Sequence, residues 1–216
     1  APGTLALLDD PGLDLRLSGS GLRLEDFHPG FSGGISLEAN LQGSLLRPRG
    51  ELSLRSQDLE LWGQPLAGAE LEARMKGGDI DIDRFRLAVT REDSLDLEGR
   101  INPSRSDYDL RLSTSGISLS ALKFLESRNL VEGRILVDIS GSGTFRNPRA
   151  RGAVSVENLV INQQPLSGFG VQLSLENRIF RGKGSMGFGL DAWYDLDKDD
   201  FFASLDFSRT ELAPYL

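Results

Sequence analysis

The residues with the clearest capacity for chemistry lie near the end of the chain, in Asp195-Leu-Asp-Lys-Asp-Asp-Phe201. Carboxylates at alternate positions, followed by Asp206, imitate the oxygen-rich loop that holds calcium. The glycine that such a loop needs at its centre is Asp200 here, Ala203 occupies a ligand position, and no helical pattern flanks the segment. These departures favour the tip of a polar β-hairpin, with calcium binding as the alternative.

Two further candidates lack the partners that their chemistry requires. His28 is the only histidine, so neither a zinc site nor a catalytic triad can form around it, and we interpret it as a loop residue. Gly182-Lys-Gly-Ser-Met-Gly187 has the letters of a dinucleotide-binding loop but leads into Phe188 and Leu190 in strand alternation. Because no helix follows to hold a phosphate, we interpret these glycines as turn and bulge residues. We predict no catalytic residue, metal site or cofactor, and the chain is not expected to be an enzyme.

Composition narrows the class of protein. The chain has 216 residues, a net charge of −8 and no cysteine. The negative charge is spread along the sequence, which argues against nucleic acid or an anionic membrane surface as the main partner. The missing cysteines exclude disulfides and thiolate metal sites, and no apolar stretch approaches the ~20 residues of a transmembrane helix. The chain opens at Ala1-Pro2-Gly3 and stops inside a repeat, so we interpret it as a fragment of a longer protein.

One phrase recurs through the sequence. Leu13-Asp-Leu-Arg-Leu-Ser-Gly-Ser-Gly-Leu-Arg-Leu24 returns as Tyr108-Asp-Leu-Arg-Leu-Ser-Thr-Ser-Gly-Ile-Ser-Leu119, and more loosely as Ala203-Ser-Leu-Asp-Phe-Ser-Arg-Thr-Glu-Leu212. The step between the phrases is 95 residues, and from Gly33 and Gly133 onward the step is 100 residues. The recurrence predicts tandem repeat units over residues 1–106 and 107–201, with a third unit starting in 202–216.

Alternation of apolar and polar residues predicts β-strands along most of the chain, as in Ile35, Leu37, Ala39 and Leu41. Helical periodicity is confined to residues 119–130, where Ser118 or Ser120 could cap a short helix. We therefore expect about sixteen antiparallel strands and one short helix. With strands ~4.8 Å apart, the stack would be roughly 70–80 Å long.

A sheet that is charged on one side and apolar on the other must cover its apolar side. A second sheet would give a compact sandwich, whereas a single sheet folded lengthwise would give a trough filled by an apolar guest. We expect the second arrangement: an all-β, elongated antiparallel sheet that is curved into a taco-like groove with an apolar concave face. The residues predicted to line the groove are Leu15, Leu37, Leu54, Leu87, Leu110, Val137, Val156, Leu173, Phe188 and Leu205.

These signals resemble the TamB family, within the AsmA-like group of bridge-like proteins of Gram-negative envelopes. The resemblance rests on Asp109 to Leu119, a leucine-rich stretch over 122–130, Glu132-Gly-Arg-Ile-Leu-Val-Asp-Ile-Ser-Gly-Ser-Gly143 and Asn147-Pro-Arg-Ala-Arg-Gly152. The first unit departs from the family pattern because it lacks the helix and has Glu25-Asp-Phe-His-Pro-Gly30 instead. The resemblance implies an apolar β-groove that stands in the periplasm, within a full-length protein anchored in the inner membrane.

The resemblance also implies a function. The groove would carry phospholipid, held by its acyl chains, between the inner and outer membranes and so support outer-membrane biogenesis. The alternative is a chaperone or scaffold for the assembly of outer-membrane β-barrel proteins such as autotransporters, working with a TamA-like outer-membrane barrel and using sheet edges for strand addition. A structural spacer with a closed core is a third interpretation.

Overall fold

The structure is a computed structural model of the chain that describes residues 12–26, 28–44, 47–126, 131–185 and 189–206. Within these ranges fifteen strands form one antiparallel sheet, which confirms the all-β prediction. Successive strands are neighbours in the sheet throughout, except that two strands of two residues each, β8 and β11, flank β9 and β10. The strands are β1 (Gly12–Arg23), β2 (Phe31–Ser44), β3 (Pro48–Leu61), β4 (Gln64–Lys76), β5 (Asp79–Ala88), β6 (Ser94–Asn102), β7 (Asp107–Thr114), β8 (Ile117–Ser118), β9 (Val131–Thr144), β10 (Pro148–Ile161), β11 (Gln164–Pro165), β12 (Phe169–Glu176), β13 (Ile179–Ser185), β14 (Gly189–Asp195) and β15 (Asp200–Asp206).

Helical structure in the described ranges is limited to two 3-10 turns, Leu24–Asp26 and Leu119–Ala121, and one α-helical turn, α1 (Lys123–Glu126). The helix predicted over 119–130 is therefore shorter than expected, and residues 127–130 lie outside the described part. The prediction of a cap by the Ser118 side chain is wrong, because Ser118 makes no side-chain capping bond. Its hydroxyl instead pairs with that of Ser120 at 2.8 Å. No helix in the described ranges is both long enough and apolar enough to cross a lipid bilayer.

Strand pairing recurs at the steps of the sequence repeat. Leu15 is paired with Leu41, and the residues 95 and 100 positions further on, Leu110 and Gly141, are paired in the same way. Similarly, the pairing of β2 with β3 recurs 100 residues later between β9 and β10. Asp58 and Asn158, also 100 residues apart, share a left-handed backbone with φ of 57° and 52°. The same register thus underlies both parts of the sheet, while the unit boundaries at 106 and 201 remain a prediction.

The sheet is an open, curved groove with a large surface. The accessible area of the whole chain is 14871 Å², about half again the ~9,800 Å² expected for a compact protein of 23.6 kDa. Neighbouring strands approach closely at Gly99, where φ is 134° and a Cβ atom would lie 2.1 Å from the carbonyl oxygen of Asp109. Only glycine accepts both this backbone angle and this approach, so the sequence permits the tight strand contact at this point.

The described residues of the Gly182–Gly187 motif, Gly182 to Ser185, are part of a strand. Gly182 pairs with Leu173 and Gly184 with Val171, both without a register shift, in the interior of β13. The interpretation of these two glycines as turn and bulge residues is therefore wrong. A Cβ atom on Gly184 would lie 2.7 Å from the carbonyl oxygen of Gly170, so close strand packing explains the glycine here. Residues 186–188 lie outside the described part of the chain.

Candidate functional site

The concave face of the sheet brings the predicted groove residues together. Direct cross-strand partners project from the same face of an antiparallel sheet, so one face can be followed from strand to strand. One such row crosses the sheet from β2 to β12 through Leu37, Leu54, Leu71, Phe85, Leu97, Leu112, Ile139, Gly152 and Leu173. Leu15, Leu87, Leu110, Val137, Val156 and Leu205 belong to neighbouring rows of the same face. Phe188, the tenth predicted residue, lies outside the described part.

The concave face is covered only in part. Val156 is buried at 6% exposure, whereas Leu15 and Leu205, on the first and last described strands, are 40% and 53% exposed. The other described members of the predicted set (Leu37, Leu54, Leu87, Leu110, Val137 and Leu173) are half-buried. No large side chain among the described residues falls below 2% exposure. This apolar wall is therefore open enough to accept further apolar surface.

Charged residues are absent from the central rows of this face. Every member of the row from Leu37 to Leu173, and of the parallel row from Ala39 to Leu175, is apolar or glycine. The next row, which starts at Ile35 and Ser56, adds uncharged polar residues. The uncharged polar side chains are accommodated locally: the Ser56 hydroxyl, for example, donates to the Gly34 carbonyl at 2.9 Å. The result is a continuous uncharged lane that runs perpendicular to the strands.

The opposite, convex face carries the charges. Arg55, Glu70, Arg86 and Asp96 are successive cross-strand partners with alternating sign. The Arg55–Glu70 and Arg86–Asp96 pairs are 3.2 and 3.1 Å apart. Exposed ion pairs of this kind contribute little stability each, but they keep the outer surface soluble and distinct from the inner one.

A segment preceding β9 crosses the concave face. Residues 117–126, here called the strap, contain the second 3-10 turn and α1. Leu119 is buried against Val156 and Leu159, with Leu122 and Leu125 packed on the same cluster. At the far side the strap reaches β4, where Gln64 Nε2 donates to the Ala121 carbonyl at 3.0 Å and Gln64 Oε1 accepts from the Lys123 amide at 2.7 Å. The strap thus ties β4 to the β9–β10 region across the groove.

The near end of the strap is held by a buried carboxylate. Asp93 is 6% exposed; its Oδ2 accepts from the Ser118 amide at 3.0 Å, and its Oδ1 lies 3.3 Å from Arg134 Nη2. The same Arg134 nitrogen donates to the Gly116 carbonyl at 3.1 Å. Sequence reasoning missed both Asp93 and Gln64, because their hydrogen-bond partners are distant in the sequence.

The residues considered as metal or catalytic candidates, the Asp195–Asp200 segment and His28, lie in turns and connections of the sheet. Residues 196–199 form the turn between β14 and β15, with Asp195 and Asp200 at the adjoining strand ends, so the predicted polar hairpin tip is confirmed. Asp195 Oδ1 accepts from the backbone amides of Asp197 and Lys198 at 3.0 and 3.2 Å, and these bonds, the Asp197 amide first, lower the pKa of the Asp195 carboxyl. His28 lies between the first 3-10 turn and β2, where its Nδ1 accepts from the Gly30 amide at 3.0 Å. Among the described residues no three His, Asp or Glu side chains come together as metal ligands.

Comparison with family models, with curated proteins and with solved structures finds no match to this chain.

Proposed function

We propose that this chain is a non-enzymatic segment of a lipid-conducting β-groove, and that its concave face carries phospholipid by the acyl chains. The observation that carries the proposal is the uncharged apolar lane across the described sheet, with its half-buried side chains. Covering apolar surface stabilises by about 25 cal/mol per Å², or ~0.8 kcal/mol per methylene. An acyl chain lying along the lane would gain this stabilisation for each methylene that contacts the apolar side chains. It would meet no charged side chain along these rows.

The continuity of the lane supports transport over static storage. A chain that slides from row to row exchanges one aliphatic contact for another, so its free energy changes little along the path. A single charged residue on the face would create a free-energy barrier on this path, because the charge must be desolvated before an acyl chain can cover it. The rows from Leu37 to Leu173 contain no such interruption.

The compartment and direction are proposed on the sequence resemblance. The resemblance to the TamB family supports a periplasmic position in a Gram-negative envelope, in a longer protein anchored in the inner membrane, with phospholipid moving between the two membranes. Acyl chains are then the principal ligand, and a TamA-like outer-membrane barrel is a partner of the whole protein.

Site-specific photo-crosslinking tests the proposal. A crosslinking residue at Leu37 or Val137, on the concave face, is expected to capture phospholipid in cells. The matched positions Glu38 and Asp138, one residue further on and exposed on the convex face, are expected to capture none. Lipid extraction and native mass spectrometry of the purified chain give a second readout. Equal labelling of both faces, or no lipid on either, would overturn the proposal.

The exposed end of the sheet favours a second candidate, a chaperone or scaffold for β-barrel precursors. All seven residues of β15 are exposed, and β15 is paired on one side only within the described sheet. An extended precursor could add to such an edge through main-chain hydrogen bonds. Crosslinkers placed at Ser204 on this edge would then capture protein, and those at Leu37 would capture nothing, which is the reverse of the lipid result.

A further inference from the structure

Equivalent positions on the convex face carry different charges in the two halves of the sheet. In the first half, Glu51, Arg74 and Asp81 are successive cross-strand partners on β3, β4 and β5. The residues 100 positions later, Arg151, Ser174 and Arg181, are successive partners on β10, β12 and β13. The same register therefore places a row of alternating sign in one half and two cations separated by a hydroxyl in the other.

The two rows also differ in how their charges are satisfied. In the first half Arg74 hydrogen-bonds both carboxylate oxygens of Asp83, and this bonding holds the pKa of Asp83 below its ordinary value. In the second half, within the described part of the chain, Arg151 and Arg181 make no ion pair and the Ser174 hydroxyl makes no hydrogen bond. All three side chains are exposed, so their donors are available to a ligand.

The spacing of the row suits one small anion. Strands in a sheet are about 4.8 Å apart, so the backbones at Arg151 and Arg181 are separated by roughly 10 Å. Ser174 between them is short, and the guanidinium groups of two long side chains can converge above it. Arg149 and Arg151 also line a shallow depression with Ser140, Ser142, Asp109 and Glu176, and neither carboxylate there is within ion-pair distance of Arg151.

We propose that Arg151, Ser174 and Arg181 form a phosphate-binding row. Each guanidinium offers a planar fork of donors that matches two oxygens of an anion. A carboxylate has only two oxygens and is satisfied by one fork, whereas a phosphate has enough acceptor oxygens for two forks and the serine hydroxyl. The phosphate can belong to a lipid headgroup or be free in solution, since both present the same chemistry. This inference stands independently of the lipid-conducting groove, because the row is on the opposite face.

The internal repeat supplies a matched test. Inorganic phosphate is titrated into isotope-labelled protein while the arginine side-chain Nε–H resonances are followed by NMR. Saturable shifts are expected for Arg151 and Arg181 and not for Arg100, which lies between Asp81 and Asp109 on the same face of the first half. The triple variant Arg151→Glu, Ser174→Arg, Arg181→Asp copies the first-half row into the second half and should weaken phosphate binding at least tenfold.

A second pair of measurements identifies the source of the phosphate. Vesicles of phosphatidylcholine with and without phosphatidic acid are compared for binding of the wild-type chain and of the triple variant. Binding only to vesicles that contain phosphatidic acid, lost in the variant, assigns the row to a lipid headgroup; shifts with inorganic phosphate alone assign it to free phosphate. If the triple variant fails to fold by circular dichroism, the single variant Arg181→Gln takes its place. Equal shifts at Arg100, or unchanged binding by the folded variant, would overturn the proposal.

Discussion

Gln64 and Lys123 are 59 residues apart in sequence, yet the Lys123 amide donates to the Gln64 side-chain carbonyl over 2.7 Å. Gln64 opens β4 and Lys123 opens α1, so the bond joins regions that are separated by β5, β6 and β7 in the sheet. A second bond, from Gln64 Nε2 to the Ala121 carbonyl, completes the connection. One side chain therefore links β4 to the strap through two hydrogen bonds.

Replacing Gln64 should release the strap. Gln64→Ala removes both bonds, and we expect a loss of about 1–3 kcal/mol and a fall in the thermal midpoint of several degrees. Hydrogen exchange should become faster in residues 119–126. Gln164→Ala is the matched control, since Gln164 is 100 residues further on, exposed, and makes no side-chain hydrogen bond within the described part. Unchanged exchange in the strap would show that its apolar contacts alone hold it.

A charge on the concave face should block lipid carriage while leaving the fold in place. Leu173 is half-buried and its neighbour Gln172 is exposed on the other face, so Leu173→Arg and Gln172→Arg place the same charge on opposite sides. We expect Leu173→Arg to cost about 1–3 kcal/mol and to abolish bound lipid. Gln172→Arg should change neither the stability nor the amount of bound lipid. The measurements are the thermal midpoint and the lipid content of the purified chains.

The outcome for Leu173→Arg also separates a groove from a closed spacer. In a closed core the arginine would be fully buried without a partner and the chain would unfold. A folded variant that retains its lipid would contradict the lipid proposal at this position.

Gly99 should tolerate no side chain. Gly99→Ala forces a Cβ atom to within 2.1 Å of the Asp109 carbonyl oxygen at a φ of 134°, so β6 and β7 must separate locally. We expect a loss of about 2 kcal/mol or more. Gly34→Ala is the control, because nothing lies within 4 Å of the Cβ that it adds, and its effect should stay within about 0.5 kcal/mol. Urea titration of both variants measures the difference, and equal midpoints would refute the steric argument.

Asp79 should make part of the stability pH-dependent. Asn102 donates to its Oδ1 at 2.6 Å and Arg105 at 3.0 Å, and these contacts, Asn102 first, lower the pKa of Asp79 below its ordinary value of 3.8. A carboxyl whose pKa is lower when folded stabilises the fold above its unfolded pKa and loses this effect as the pH falls through the folded pKa.

The corresponding experiment compares Asp79→Asn with the wild type at pH 7 and at pH 3. The variant should melt at a lower temperature than the wild type at pH 7. The difference in melting temperature should narrow at pH 3, because this is below the unfolded pKa of 3.8 and part of the stabilisation by the ionised Asp79 carboxylate is then lost. Asp81→Asn, two residues further along β5 and without a side-chain hydrogen bond or ion pair in the described part, should show a small gap at both pH values. A gap for Asp79→Asn that is constant with pH would exclude the electrostatic explanation.

Local pattern was enough to predict the strands and the parity of their side chains. Leu37 and Val137 lie on the same face because side chains alternate along each strand and because the repeat fixes the register. Sequence reasoning failed where the position of a residue depends on contacts with residues that are distant in the sequence. Gly182 resembled a turn residue, but its place in β13 follows from β12 and β14 on either side. Likewise, the bonds of Gln64 to the strap depend on the curvature of the whole sheet, which no local pattern encodes.

The order of strands in the sheet has a consequence for how the protein is made. Each of the main described strands has its preceding neighbour in the chain beside it, so a polypeptide that emerges from the ribosome N-terminus first never waits for a strand that has not yet been synthesised. Apart from the connection of residues 115–130 between β7 and β9, each new hairpin closes only a short loop, and the entropic cost of each such step is small. Growth at a single advancing edge adds one unpaired strand at a time, which limits the opportunity for aggregation during synthesis.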